Sequence, residues 1–233
     1  MAKVSAAVRF DRDSPTLVIS NRSRVDDADA RRVTLALQKQ VDRDFFPLWG
    51  WRARLVFRGR GTGGRHAPPG AMHLILRNAS PDAYAGYHFI DGLPEAEVFT
   101  RDADGPLADW QATLSHEVLE MVADPGVNLY ARGYLRHGGR RRTAFVAYEV
   151  CDPVQANSYQ IDGVPVSDFV TPEWFEPERE PGSLKFSFRD SVTRPFELAD
   201  GGYIDAYIGG ELVTVWGDPA RPKERRYRRA IRR

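Results

Sequence analysis

The chain is poor in sulfur. One cysteine, Cys151, stands among 233 residues, with three methionines. A single cysteine excludes an intrachain disulfide and fits a reducing compartment. Alone, it reads as a small buried hydrophobe rather than a nucleophile. Long apolar runs are missing too, and none approaches a membrane span. The first 13 residues carry scattered charges and no apolar stretch, so no signal peptide and a cytoplasmic location are expected. An excess of one charge is also lacking: 33 Lys and Arg face 32 Asp and Glu. No Gly-x-Ser-x-Gly occurs. Gly61-Thr62-Gly63-Gly64-Arg65 lacks the Lys-Ser/Thr pair of a phosphate loop. No repeat is found.

The near-zero net charge hides an asymmetry. Residues 221–233 carry eight Arg and Lys against one Glu, so the rest of the chain is slightly acidic. The length suits one domain over 1–216, with a basic, flexible tail over 217–233. At 42% hydrophobic, that domain can build a core.

Periodicity predicts strands over 4–10 and 16–20, then a long helix over 26–46 capped by Asp26 or Asp27. Strands follow over 51–58, 71–77 and 95–100, with 85–89 in an extended segment between them. A second helix is expected over 107–123. Residues 128–142 read as a loop or hairpin, 144–150 as a strand, and 159–169 as a hairpin turning at Asp162-Gly163. Strands over 203–208 and 211–216 form a β-rich C-terminal extension. Strands and helices do not alternate regularly, so the fold class is α+β with a mixed sheet.

The second helix carries the chemistry. Its core reads Leu114-Ser115-His116-Glu117-Val118-Leu119-Glu120-Met121-Val122-Ala123-Asp124-Pro125. At about 100° per residue, Thr113, Glu117, Glu120 and Asp124 all fall within about 100° of His116. Apolar residues fill most of the remaining circle, which marks a buried helix. Buried ionisable groups need a neutralising partner, and a divalent cation is the simplest one. Positions i and i+4 lie one turn apart, so His116 and Glu120 can reach one ion. Glu117 at i+1 sits beside it and can take a proton from water activated there. A third ligand must come from elsewhere: Glu149 or Asp152, which end the strand after the helix, or more weakly Asp124. Asp124 can instead hold the exit turn or orient a ligand. The bland alternative is a solvated helix face with ordinary caps and salt bridges.

HEVLEMVADP, followed by YEVCDPV and VSDFVTPEWF, resembles a group of bacterial and phage-associated proteins with an HExxE helix. More broadly it resembles the zincin metallopeptidases. The likeness covers about residues 16–176, including the order of elements before the motif helix. It implies a zincin-like mixed sheet, a zinc or other divalent ion at His116 and Glu120, and Glu117 as the catalytic base of a metallopeptidase-like hydrolase. The chain departs from the zincin pattern in having no HExxH and no downstream glycine-histidine partner. One His with several carboxylates also suits a harder ion.

His88, after Gly86-Tyr87, can line a cleft, and with Tyr87 is a candidate substrate contact; a structural, hydrogen-bonded histidine is the alternative. His73 reads as a core or cross-strand residue. Tyr130, Tyr134 or Tyr159 could stabilise an oxyanion, but spacing does not choose among them, so each reads first as structural. Arg60, Arg65, the 136–142 arginine cluster and the basic tail could bind nucleic acid or another polyanion; solubility and disorder are the favoured reading. Two functions therefore compete: a zinc-dependent metallopeptidase with a peptide or protein substrate, and a non-catalytic, metal-stabilised domain acting through its tail in a phage or bacterial assembly.

Overall fold

The computed structural model describes residues 15–61, 68–79, 84–102, 105–178 and 184–217. Strand β1 (Thr16–Asn21) leads into helix α1 (Asp27–Lys39). Asp26 caps α1: its carboxylate accepts from the Ala28 N–H at 2.7 Å, meeting one of the donors the first turn leaves over. The helical path is longer than its periodicity predicts. It runs through a π-helical segment, Gln40–Phe45, into helix α2 (Phe46–Trp49) and stops at Gly50, whose φ is 71°. Pro47 falls where the winding passes from π to α, in the first turn of α2, and the path continues through it despite the missing N–H.

Strands β2 (Arg54–Arg58), β3 (Met72–Ala79), β4 (Gly86–Asp91) and β5 (Leu93–Asp102) follow, with a short β6 (Gly105–Pro106). The first sheet has the order β2-β1-β3-β5-β4, with β6 against β5. β1, β2, β3 and β5 are mutually parallel, and β4 returns antiparallel to β5. Register places Leu17, Ile19, Met72, Leu74, Ala96 and Val98 on one face. Helix α3 (Trp110–Ala123) and α1 cover that face and touch each other. Leu114, Val118, Leu119 and Met121 of α3 are fully enclosed, each contributing about 1.5–3 kcal/mol.

The second half adds two hairpins. β7 (Tyr130–His137) and β8 (Arg140–Ala147) form one, across residues that admitted either loop or hairpin. β9 (Ser158–Ile161) and β10 (Val164–Ser167) form the other. Its turn residues Asp162 and Gly163 have φ of 52° and 73°, as a type I′ turn requires. β11 (Tyr203–Ile208) pairs with both β8 and β12 (Glu211–Trp216), so the second sheet runs β12-β11-β8-β7. The C-terminal strands are thus integral: one apolar core runs through both halves. The architecture is α+β with mixed pairing. Among the described residues, no helix is long and apolar enough to cross a membrane. The strand expected over 4–10, Arg65 and the basic tail over 221–233 lie outside the described residues.

Candidate metal centre

Helix α3 supplies His116, Glu117 and Glu120, all buried. Its neighbours explain why polar groups survive there. β4 crosses α3 closely at Gly86, where a Cβ would meet Glu117 Oε1 and Thr113 Cγ2 at 2.9 Å each, so a larger residue would displace them. His88 shares that face of β4 with Gly86. On the other side, the chain leaving β8 turns through Glu149, Cys151 and Asp152 into a short 3-10 helix (Asp152–Val154). The Cys151 N–H donates to Glu120 Oε1 at 3.2 Å, clipping this turn to α3.

A second set of hydrogen bonds fixes the helix from behind. Ser115 Oγ donates to Gln40 Oε1 at 2.6 Å and accepts from the Ser167 N–H at 2.9 Å. Gln40 Nε2 donates to the Ser167 carbonyl at 2.9 Å. Gln40 begins the π-helical segment, whose wider winding is often found beside functional sites.

The cluster is tight. His116 Nε2 lies 3.1 Å from Glu120 Oε2 and 3.2 Å from Asp152 Oδ1. His88 Nδ1 donates to Glu117 Oε2 at 3.0 Å and lies 3.7 Å from Glu120 Oε2, while its Nε2 lies 3.5 Å from Glu149 Oε2. Tyr203 on β11 hydrogen-bonds to Asp152. Two residue triads bring ligand atoms within 4.8 Å of one another: His116, Glu120 and Cys151, and His88, Glu120 and Glu149. The groups are enclosed, from 1% exposure at His116 and Glu117 to 4% at His88, Glu149 and Asp152. A cavity of about 200 Å³ opens instead at the C-terminal end of α3, against Trp51, Arg52 and Leu129, and none of the cluster residues lines it.

Electrostatics follow from this enclosure. Burial alone would depress the two imidazoles, but the carboxylates outweigh it. Glu149, Glu117 and Glu120 hold His88 up to about 10, and Glu120 and Asp152 hold His116 well above its ordinary value. Burial pushes Glu117 up against the pull of His88. Burial and then Glu120 push Asp152 up to about 7. Burial would raise Glu120 as well, but His116 and His88 bring it below the ordinary range. Four carboxylates facing two imidazoles in a closed interior is the charge pattern a cation resolves. The donor set of nitrogen, oxygen and a thiol fits zinc or another divalent ion.

Of the residues named from sequence, His116, Glu117, Glu120, Glu149 and Asp152 come together. Asp124 does not join them. Its Oδ2 accepts from the Leu129 N–H at 2.8 Å, so it holds the turn after α3. His88 does more than line a cleft, since it enters the cluster itself. Tyr87 faces the other side of the sheet, where its hydroxyl donates to Glu97 at 2.9 Å, so it is not beside His88 as a substrate contact. Alternation along β4 separates the two. The tyrosines considered for an oxyanion lie elsewhere: Tyr130 packs on Tyr207, Tyr134 lies under Arg141, and Tyr159 donates to Asp44 at 2.8 Å. His73 pairs across strands with Ser20 Oγ at 3.0 Å. Two site residues were missed. Cys151 had a signal, its place between Glu149 and Asp152 in one turn; Tyr203 had none. Compared with family models, curated proteins and solved structures, the chain matches none.

Proposed function

We propose that the chain is a zincin-like, divalent-metal-dependent hydrolase, with zinc the expected ion and a peptide bond the expected substrate. His116, Glu120 and Asp152 would hold the ion, with Glu149 as the alternative third ligand. The observation that carries this reading is the state of Glu117. Its Oε2 is fixed by His88 Nδ1, while its buried Oε1 makes no hydrogen bond among the described residues. A divalent ion in the cluster supplies Lewis acidity, which acidifies water and polarises a carbonyl. Glu117 Oε1 takes the proton from the attacking water and passes it to the leaving amine. Burial raises this carboxyl, which brings a base nearer to working pH. His88 keeps the carboxylate aimed.

The sheet supports the zincin likeness: an antiparallel edge strand, β4, crosses the HExxE helix. Phe99 N–H bonds to the Ala85 carbonyl, so alternation turns the backbone groups of Gly86, His88 and Ile90 away from β5. An extended peptide can add there as a further strand. The enclosure of the cluster favours a second reading, a non-catalytic domain stabilised by its ion. Glu117→Gln separates the two. The enzyme reading expects full metal content with hydrolysis of a peptide library abolished. Unchanged hydrolysis, or no hydrolysis by the metal-loaded wild-type protein, defeats it. His116→Ala should lower metal content and melting temperature under both readings.

A further inference from the structure

We infer that the cluster is built for two divalent cations, with Glu120 as the carboxylate they share. This rests on the cation-binding reading above and goes beyond its single ion. The two ligand triads are different in every member except Glu120: His116 and Cys151 on one side, His88 and Glu149 on the other. Glu120 sits between the imidazoles, with Oε2 3.1 Å from His116 Nε2 and 3.7 Å from His88 Nδ1. A carboxylate with two oxygens can bridge two ions, and paired ions in such sites stand about 3.5–4 Å apart.

His88 is prepared as a ligand. A metal-binding histidine commonly donates its second ring N–H to a carboxylate, which fixes the ring and the tautomer. His88 Nδ1 makes that bond to Glu117 at 3.0 Å. Its Nε2 is buried, makes no hydrogen bond among the described residues, and faces Glu149 Oε2 at 3.5 Å.

The test is stoichiometric titration of the metal-free full chain with zinc, read by elemental analysis after gel filtration. Two ions per chain are expected. Glu149→Gln and His88→Gln should each retain one, and Glu120→Gln should retain none or lose both at lower chelator concentration. Near-UV circular dichroism identifies variants that fail to fold, and the wild-type count does not depend on them. Loading with manganese gives a second readout, since a carboxylate-bridged pair shows an exchange-coupled paramagnetic resonance spectrum, unlike the six lines of an isolated ion. Saturation at one ion, retained by Glu149→Gln, overturns the inference and leaves the single-ion hydrolase standing. Saturation at zero overturns both.

Discussion

Gly86→Ala tests the contact on which the site's geometry depends. A Cβ there would lie 2.9 Å from Glu117 Oε1, 2.9 Å from Thr113 Cγ2 and 3.2 Å from Glu117 Cγ. Both neighbours are 1% exposed, so any shift must be absorbed inside the packed interior. Inserting a methyl into such packing costs about 1–3 kcal/mol. Alanine also restricts the unfolded chain, which offsets about 0.4–1 kcal/mol of that. The net loss should be about 1–2 kcal/mol, or a melting temperature lower by about 2–8 °C for a chain of this size. Urea unfolding reads it as a lower midpoint at unchanged slope. The clash involves the base itself, so hydrolysis should fall by more than the stability loss explains. In a Glu117→Ala background the methyl should cost less, with a coupling of at least about 0.5 kcal/mol. A Gly86→Ala protein as stable as the wild type, or strictly additive costs, would refute the close crossing of β4 over α3.

Further tests address single residues. Asp124→Ala should cost about 1–3 kcal/mol by removing the charge-assisted hydrogen bond that the buried Asp124 carboxylate accepts from the Leu129 N–H, with metal content unchanged; a fall in bound metal would make Asp124 a ligand after all. Tyr203→Phe removes the hydroxyl on Asp152 and should weaken ion binding about 10–100-fold in a chelator competition, with the far-ultraviolet dichroism preserved. Equal affinity would discount the tyrosine. His73 is half-buried, and burial, then Arg22 and Arg58, lowers its pKa from 6.5. The unfolded chain then binds the proton more readily, so its contribution is complete above pH 6.5 and declines as pH falls. Wild type should therefore lose melting temperature relative to His73→Gln between pH 8 and pH 5. A gap constant across that range contradicts the assignment.

The candidate metal helix was legible because its signal is local. Val118, Leu119, Met121 and Val122 leave no solvated side, and His116 and Glu120 sit one turn apart. Glu149 and Asp152 were legible for a similar reason, as acids ending an apolar strand. His88's place in the cluster was not, because its position depends on β4 folding back against β5, a pairing set at the Asp91–Leu93 turn. Alternation within β4 already opposed grouping Tyr87 with His88, and that local rule was the better guide. Tyr203 reaches Asp152 only through the pairing of β11 with β8, which no nearby residue announces. The π-helical turn at Gln40 escaped for another reason. The Gln40 side chain is held there by Ser115 and Ser167, partners far along the chain that nothing near residue 40 announces.

β11 slots between β8 and β12, and it carries the hydroxyl that meets Asp152. On the ribosome, His88, α3 and Asp152 all emerge well before it. Until β11 arrives, β8 offers a bare strand edge to any sticky neighbour. Chaperones that recognise nascent chains should engage the protein at that stage. If the cluster takes an ion as proposed, loading should be completed after synthesis has passed β11, rather than as α3 first leaves the exit tunnel.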